Sequence, residues 1–376
     1  MISKVHVALM RGGTSKCVVL RAEDVPPPGA ERDRSLLRLL GSPDPRQIDG
    51  LGGATSTTSK VVLVEPSRRT QADVDYTFAQ VSVLDATVDY RGNCGNCAST
   101  VGPFAISEGL VPCSTPLTEV RIYNTNTGKL MLAEVPTSRC GVLEEGDLAV
   151  AGVPGTGAQQ TIWFVQPENT SGRGLLPTGH QLDVVATCLG PVRATVVDAA
   201  NPVVFAAAED LGIQGTEVEP LDRWPNEVRR ALEQVRGYAA VALGLVEDPS
   251  QAASVSRNIP KVGIVRSPID YVDIYGNLVP GSAQDVTARI LSMGTLHQAF
   301  ALTGAMALAA ATIVHGSVAD MAVGGGEHTR LRIGHPSGVL EITIRRDADG
   351  SLSALGVVRT ARRLLVGDAF LPQPDP

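Results

Sequence analysis

The stretch Asp89–Ala98, DYRGNCGNCA, has a counterpart in the second half of the chain at Arg289–Ala299, RILSMGTLHQA. In each stretch a strand-like segment is followed by a small polar residue, a sulfur-containing residue, a glycine, a second polar residue and an apolar segment with helical spacing. This repeat predicts an internal duplication with two equivalent halves. The alternative interpretation is that two glycine-containing turns between a strand and a helix resemble each other by chance.

A helix that begins directly after each of these turns would present its N-terminus to a cleft between the two halves. The first N–H groups of a helix have no partner within the helix, and the helix dipole is positive at this end. Two such ends facing one cavity favour the binding of a di- or tricarboxylate.

The composition of the 376-residue chain fits a globular protein of two domains. Its 39 glycines and 25 prolines indicate many turns and therefore much strand structure. The 32 basic residues are outnumbered by 39 acidic ones, no basic block occurs, and aromatic residues are few. We therefore expect no nucleic acid and no membrane among the partners of this chain. An anionic small molecule has to be held by a local group of hydrogen-bond donors.

The N-terminus and the longest apolar run predict a cytoplasmic protein. Residues 1–7, MISKVHV, alternate like a strand and lack the basic and apolar regions of a signal peptide. The run Ala299–Val314 is too short to cross a bilayer and predicts a buried helix. The cysteines are too few for a disulfide framework in so long a chain. They are Cys17, Cys94, Cys97, Cys113, Cys140 and Cys188.

Both halves of the sequence read as short valine-rich strands around a helix, which predicts an α+β fold. The polar segment 166–180, QPENTSGRGLLPTGH, is rich in glycine and proline and predicts the boundary between domains 1–180 and 181–376. A helix that starts near Pro225 is interpreted as an insertion within 206–258 of the second domain. This division allows the C-terminal strand to pair with the first domain.

Cys94 lies between Asn93 and Gly95 at the predicted start of a helix. The helix dipole and the unpaired N–H groups there favour a thiolate over a thiol, so Cys94 is a candidate for proton transfer or nucleophilic attack. The alternative is a small buried hydrophobic residue, which the glycine and asparagine neighbours disfavour. For Cys97, one helical turn further on, burial is the preferred interpretation. This single CxxC pair lacks the second ligand pair of a zinc site.

Lys60 ends a segment of small residues, GGATSTTSK at 52–60, and is followed by the apolar strand 61–64. A phosphate-binding P-loop needs glycine directly before the lysine and a helix after it, and both are missing. The sequence therefore does not favour a nucleotide site. A lysine at the start of a strand in such a loop can act as a base, and the alternative is a solvated surface lysine.

Two further loops offer hydrogen-bond donors to a carboxylate. The loop RGGTSK at 11–16 contains the hydroxyls of Thr14 and Ser15 together with two cations. The loop GHPSG at 334–338 contains His335 and Ser337. His335 precedes a proline and is held extended, so it is either a donor in the ligand cleft or an ordinary turn residue. Neither loop is specific on its own.

Seven motifs together resemble the PrpF family, and they occur in the order of that family over essentially the whole chain. They are RGGTSK at 11–16, GGATSTTSK at 52–60, GNCGN at 92–96, NPVVF at 201–205, SMGTLHQA at 292–299, GHPSG at 334–338 and RTARRL at 359–364. The family includes methylaconitate cis-trans isomerases, methylitaconate delta-isomerase and 4-oxalomesaconate tautomerase. The resemblance implies a diaminopimelate epimerase-like fold of two pseudo-symmetric domains, each a barrel-like, mostly antiparallel sheet around a central helix.

The resemblance also implies which residues act. Lys60 and Cys94 match the lysine and cysteine with which the family moves a proton along an allylic system, without a metal or organic cofactor. Met293 stands where the related two-base epimerases have a second cysteine, and its thioether cannot exchange a proton. The implied carboxylate-binding residues are Thr14, Ser15, Asn93, Gly95, Asn96, Met293, Gly294, Thr295, His335 and Ser337.

The implied activity is that of a cofactor-independent isomerase acting on an unsaturated di- or tricarboxylate such as methylaconitate, aconitate, methylitaconate or oxalomesaconate. A hydro-lyase acting on a hydroxy acid and a carboxylate-binding protein without activity are the alternatives. Cys17 replaces the last glycine of the family motif RGGTSKG, and it either affects substrate choice or points into the core. The sequence leaves open the substrate, the identity of the base and whether the chain forms a homodimer.

Overall fold

The fold is given by a computed structural model of the chain that describes residues 3–139 and 141–371. Two N-terminal residues, Cys140 and five C-terminal residues lie outside this described part. The chain forms two compact units, of which the first comprises Met1–Trp163 with Val358–Pro376 and the second comprises Phe164–Val357. The division therefore comes earlier than the expected boundary at residue 180, and the C-terminal strand belongs to the first unit.

Within the described residues, the first part of the chain forms eleven strands and two α-helices before it enters the second unit. In chain order they are β1 Ser3–Gly12, β2 Ser15–Arg21, α1 Ala30–Leu40, β3 Lys60–Pro66, β4 Val74–Val81, β5 Val88–Asp89, α2 Gly95–Ser107, β6 Leu117–Asn124, β7 Lys129–Ser138, β8 Gly141–Val142, β9 Leu148–Ala149, β10 Thr156–Gly157 and β11 Gln160–Val165.

The remaining elements lie in the second unit, except for the last strand and the final two residues of the strand before it, which belong to the first. They are β12 Asp183–Thr187, β13 Gly190–Ala199, β14 Asn201–Ala207, α3 Asn226–Ala242, α4 Ala252–Val255, β15 Lys261–Arg266, β16 Tyr271–Val272, β17 Leu278–Val279, β18 Val286–Ser292, β19 Thr295–Leu296, α5 Leu302–Thr312, α6 Val318–Val323, β20 Arg330–His335, β21 Gly338–Arg346, β22 Leu352–Arg359 and β23 Ala361–Leu371. Short 3₁₀ helices lie at Ala22–Asp24, Glu209–Leu211, Leu221–Arg223, Pro249–Gln251 and Gly281–Ala283.

The two units have the same strand topology. In the first unit the strands pair in the order β23–β1–β2–β3–β4–β6–β7. In the second they pair in the order β12–β13–β14–β15–β18–β20–β21. In both units the successive strand pairs are antiparallel, antiparallel, parallel, antiparallel, parallel and antiparallel. This agreement confirms the predicted α+β fold and its duplication.

Helix α3 is a regular part of the duplicated plan. It joins the parallel strands β14 and β15, and α1 joins the parallel strands β2 and β3 in the same way. Parallel neighbours need such a crossover connection because their ends lie at opposite edges of the sheet. The interpretation of residues 206–258 as an insertion is therefore wrong. The sequence analysis had not predicted helix α1, at Ala30–Leu40, so α3 had no counterpart in the first half and was taken for an insertion.

A buried helix lies against the sheet of each unit. Helix α2 contacts strands β1, β2, β3, β4, β6 and β7, and each of its residues from Gly95 to Ile106 is buried. Helix α5 contacts β13, β14, β20 and β21 and is buried along its whole length. Small side chains in both helices allow strands to approach from several sides. The predicted buried helix within Ala299–Val314 is confirmed, and among the described residues no helix is long and apolar enough to cross a membrane.

The close approach of β1 to α2 predicts that Gly12→Ala destabilises the protein. A Cβ atom at Gly12 would lie 2.2 Å from the backbone oxygen of Asn96, which cannot move away by changing a rotamer. Overpacking of this kind costs about 1–3 kcal/mol. For a domain of this size we expect the melting temperature to fall by roughly 2–12 °C, measured by thermal unfolding.

Gly367→Ala is the matched control for this substitution. Gly367 also lies in a strand of the first unit, but its added Cβ would approach no closer than 3.9 Å to the Leu365 side chain. We expect this variant to melt close to the wild type. Equal melting temperatures for the two variants would contradict the steric argument.

Candidate active site

Lys60 is the first residue of β3 and is held by two side chains of the neighbouring strand β4. Its Nζ donates a hydrogen bond of 2.6 Å to Gln80 Oε1 and lies 5.1 Å from the centre of the Phe78 ring. The side chain is 8% exposed, and no ion pair of the described residues involves it. Lys60 is therefore a buried lysine with a neutral hydrogen-bond partner, and the alternative of a solvated surface lysine is wrong.

The loop before Lys60 is fixed by two buried glutamines. Gln80 Nε2 donates hydrogen bonds of 3.0 Å to Ser59 O and 3.2 Å to Ser56 O. Gln47 Oε1 accepts hydrogen bonds of 2.7 Å from Ala54 N and 2.8 Å from Ser59 Oγ. The small residues of this segment thus build a closed turn whose backbone amides and hydroxyls are largely engaged with the protein, unlike a loop that wraps a phosphate.

Cys94 is the residue that directly precedes α2. Its carbonyl oxygen accepts the first helical hydrogen bond, 2.9 Å from Ala98 N, and a second one of 3.3 Å from the Tyr76 hydroxyl. Its Sγ lies 3.9 Å from Ser15 Oγ. The predicted position of Cys94 at a helix start is thereby confirmed, and the structure also places its thiol next to Ser15 of the loop RGGTSK.

One face of β4 positions both Lys60 and Cys94. Tyr76, Phe78 and Gln80 alternate along this strand and are all buried, so they point to the same side. Tyr76 holds the Cys94 backbone, while Phe78 and Gln80 hold the Lys60 side chain. Because all three come from one regular strand, the spacing between the two candidate catalytic groups is set by the strand repeat.

The protonation of Cys94 differs from the sequence-based expectation. A hydrogen bond with the Cys97 thiol, together with burial, raises the pKa of the Cys94 thiol well above its usual range. The positive charge of Lys60 acts in the opposite direction but does not outweigh them. The predicted thiolate is therefore wrong for the free protein. At neutral pH Cys94 is a thiol, which can donate a proton.

The start of α2 is surrounded by polar groups of the first unit. Asn96 Nδ2 donates a 3.0 Å hydrogen bond to Thr14 Oγ1, and the Nε of the buried Arg359 donates one of 3.3 Å to Asn96 Oδ1. The buried Oδ1 of Asn93 has no hydrogen-bond partner. The N–H of Gly95 precedes the first i→i−4 hydrogen bond of the helix. Of these groups, the N–H of Gly95 and the guanidinium of Arg359 can attract an anion next to Cys94.

Arg359 is a functional candidate that the residue spacing did not indicate. It belongs to the motif RTARRL, yet it reaches Asn96 across 263 positions of the sequence. Burial lowers the pKa of its guanidinium to about 10, and no ion pair of the described residues involves it. A buried cation without an acidic partner is costly unless an anion approaches it. Its presence beside the RGGTSK loop was visible only in the folded chain.

Cys17 points into the core of the first unit. It is 1% exposed, its Sγ lies 3.7 Å from Thr100 Oγ1 of α2, and its thiol interacts with that of Cys97. Of the two interpretations of Cys17, the structure thus supports packing against the central helix.

Met293 and Gly294 lie in a hairpin turn and not, as predicted, directly before a helix. They form the two-residue turn between β18 and β19, with φ angles of 54° and 75° and with Ser292 paired to Thr295. Positive φ at both positions is typical of a type I′ hairpin turn. Helix α5 begins only at Leu302, so the expectation of a helix start at this motif is wrong. The residue that precedes α5, as Cys94 precedes α2, is Ala301, which also lacks a thiol.

The other candidates of the second unit are mostly engaged within their own loops. His335 Nδ1 accepts a 3.2 Å hydrogen bond from Ser337 N, and the Ser337 hydroxyl donates to Gln298 O. Both residues are buried. Thr295 is exposed and its hydroxyl donates to Ser292 O at 3.0 Å. The loop GHPSG is thus joined to the segment that leads into α5.

Lys261 was missed by the sequence analysis although the duplication points to it. It is the first residue of β15, as Lys60 is the first residue of β3, and only 5% of it is exposed. Its Nζ donates 3.0 Å hydrogen bonds to the backbone and side-chain oxygens of Asn258. Aligning the two halves on their strand starts would have found it.

A positively charged cavity surrounds Lys261 within the second unit. The hairpin turn Met293–Gly294 lines one part of it. The charged residues that line it are Arg229, Glu233, Arg236, Arg257 and Lys261. Asn258, which also lines it, has a buried Nδ2 without a hydrogen-bond partner. The excess of cations and the free amide suit an anionic group.

A metal centre is not indicated in the part of the chain that the structure describes. Within residues 3–139 and 141–371 no group of three or more His, Cys, Asp or Glu side chains is arranged to hold a metal ion. The polar groups around Cys94 and Lys261 are instead hydrogen-bond donors and cations, which bind carboxylates directly.

Known proteins match this chain over nearly its full length. The sequence model of the family described as "PrpF protein" matches residues 2–372. The 3-methylitaconate isomerase of Eubacterium barkeri is 39% identical over 98% of this chain and 97% of its own length. The 2-methyl-aconitate isomerase of Shewanella oneidensis is 39% identical over 99% and 98%, and the 4-oxalomesaconate tautomerase of Pseudomonas putida is 40% identical over 97% and 95%.

Solved structures support the same relationship. The crystal structure of a methylitaconate-delta-isomerase has a TM-score of 0.82 and 38% identity, covering 98% of this chain and 96% of that chain. A hydroxyproline epimerase from Agrobacterium vitis has a TM-score of 0.55 at 14% identity, covering 99% and 94%, and shows that the fold is epimerase-like. With isomerases and tautomerases as its full-length relatives, the protein is an isomerase and belongs to the PrpF family.

Proposed function

We propose that this isomerase moves an allylic proton in an unsaturated di- or tricarboxylate, with Lys60 and Cys94 as the two proton-transferring groups. The observation that carries the proposal is the shared support of these residues by one face of β4, next to the polar groups at the start of α2. The relatives named methylitaconate isomerase, methylaconitate isomerase and oxalomesaconate tautomerase support this class of substrate.

The raised pKa of Cys94 suggests how the two roles are divided. A protonated thiol cannot take a proton, so we assign to Lys60 the removal of a proton from a carbon next to the double bond. The electron pair of the broken C–H bond spreads over the allylic system into a carboxylate. The Cys94 thiol then donates its proton to the far carbon, which shifts the double bond. Rotation in the delocalised intermediate gives the exchange between cis and trans.

Negative charge that develops on the substrate carboxylate is stabilised at the start of α2. The N–H of Gly95 and the helix dipole act there, and the side chains of Asn93 and Asn96 add hydrogen bonds. Arg359 supplies a buried positive charge through its contact with Asn96. Thr14 and Ser15 complete this group in the first unit.

In the second unit we assign carboxylate binding first to Lys261 and Asn258, which line a positively charged cavity together with Met293 and Gly294. His335 and Ser337 hold the loop that leads into α5, and Thr295 closes the hairpin turn next to the cavity. These three residues therefore support the binding groups.

Proton exchange with heavy water tests the proposed function. Methylitaconate, methylaconitate and oxalomesaconate are each incubated with the enzyme in deuterium oxide and followed by NMR and mass spectrometry. We expect deuterium at an allylic carbon of the substrate or the product, in an isomer of otherwise unchanged composition. A product that has lost water, or isomerisation without any incorporation during many turnovers, would contradict this mechanism.

A further inference from the structure

Two thiols meet at the start of α2. Cys94 directly precedes the helix, Cys97 is its third residue, and a hydrogen bond links the two thiols. Cys97 is fully buried, whereas Cys94 is partly exposed. The proposed mechanism uses Cys94 but has no role for Cys97.

The helix geometry brings the two residues to disulfide distance. Ala98 N donates to Cys94 O at 2.9 Å, so the first turn of the helix already closes on Cys94. With a rise of about 1.5 Å per residue and a Cα radius of about 2.3 Å, residues three apart have Cα atoms about 5 Å apart. Disulfides span Cα separations of about 4.4–6.8 Å, so the Cα separation of this pair lies within the range of a disulfide.

We propose that Cys94 and Cys97 form an intramolecular disulfide in the presence of a hydroperoxide, and that this modification reversibly inactivates the enzyme. The inactivation rests on the proposed role of Cys94 in catalysis, because a disulfide has no proton to donate. The formation of the disulfide rests on the geometry of the CxxC segment alone.

The oxidation proceeds in two balanced steps. With hydrogen peroxide as the oxidant, the Cys94 sulfur attacks one oxygen as a thiolate and the O–O bond breaks. The leaving hydroxide takes up a proton, which yields water and a sulfenic acid. The Cys97 sulfur then attacks the Cys94 sulfur, the S–O bond breaks, and a second water leaves. The two thiols together lose two electrons and two protons, and the hydroperoxide is reduced.

The surroundings of the pair decide which product forms. Cys97 is flanked on its other side by Cys17, whose thiol interacts with it. Cys17 is 1% exposed, so the oxidant reaches Cys94 first. Burial and the Cys17 thiol raise the pKa of Cys97, and the Cys97 thiol together with burial raises the pKa of Cys94. Oxidation is therefore slower than at a low-pKa cysteine. Once Cys94 is oxidised, Cys97 is the thiol in contact with it.

Peptide mass spectrometry tests the modification independently of activity. The full-length Cys113→Ser variant is treated with hydrogen peroxide, the remaining thiols are alkylated with iodoacetamide, and the protein is cleaved with trypsin. The peptide from Gly92 to Arg121 then contains only Cys94 and Cys97. We expect it without alkylation and lighter by two hydrogens than the reduced peptide. Dithiothreitol should restore alkylation of both cysteines.

Activity is measured on the same samples. We expect it to fall in proportion to the fraction of the peptide that carries the disulfide, and to return with dithiothreitol. The Cys97→Ser control is compared with its own untreated activity. Its peptide should gain oxygen, and its loss of activity should not be reversed by dithiothreitol once sulfinic acid has formed.

Two results would overturn the proposal. The first is full alkylation of Cys94 and Cys97 after oxidation, and the second is a cross-link from Cys97 to the peptide Cys17–Arg21. Quantitative disulfide with unchanged activity would refute the inactivation and the catalytic role of Cys94, while leaving the disulfide itself established.

Discussion

Cys94→Ala is expected to lower kcat/KM by about 100- to 10,000-fold, the usual contribution of a group that transfers a proton in the transition state. The structure places this thiol at the start of α2 and keeps it protonated, so its removal takes away the proposed proton donor. The rate is measured by following double-bond migration in the substrate. Substrate affinity should change much less than kcat, because the carboxylate-binding groups remain.

The exposed Cys113 provides the control for this substitution. Cys113→Ala should retain the wild-type rate, and the circular dichroism spectra of both variants should match that of the wild type. Activity near the wild-type level in a folded Cys94→Ala variant would exclude the proposed role.

The raised pKa of Cys94 also predicts the pH dependence of the wild-type enzyme. Its activity should not decline until the pH exceeds about 8.5, the usual pKa of a free cysteine.

Lys60→Met is expected to reduce kcat/KM by a similar factor, about 100- to 10,000-fold. Methionine preserves most of the buried side-chain volume but cannot remove a proton. It leaves Gln80 Oε1 without its donor, which costs about 1–3 kcal/mol of stability, so the assay is run well below the melting temperature. Lys129→Met, at the partly exposed first residue of β7, is the control and should be unaffected.

Deuterium exchange in these two variants shows which of Lys60 and Cys94 acts as the base and which as the acid. With both isomers of the substrate offered in deuterium oxide, Lys60→Met should lose exchange at one allylic carbon and Cys94→Ala at the other. The reason is that each group serves one end of the allylic system. Loss of exchange at both carbons in only one variant would mean that a single residue carries both proton transfers.

Local sequence was sufficient for the parts of the site that lie within one segment. GNCGN predicted the cysteine at a helix start because a polar glycine turn followed by helical spacing is a pattern of a few neighbouring residues. SMGTLHQA misled the alignment of the halves because a glycine turn before a helix and a glycine hairpin turn have similar composition. The hairpin is distinguished by positive φ at Met293, which the sequence does not display.

The sequence by itself indicated the α+β class, the family and, through the resemblance to that family, the candidate pair Lys60 and Cys94, because a family is recognised from the order and local spacing of short motifs. It also predicted the duplication, although it aligned the two halves on a turn that proved to be a hairpin. Tertiary structure alone decided that Gln80 holds Lys60, that Arg359 reaches Asn96, and that Cys94 is a thiol. Strand register and long-range contacts bring distant residues together, and a pKa depends on every neighbour that replaces water. The chemistry at Cys94 is therefore set by the packed surroundings of the motif as much as by the motif.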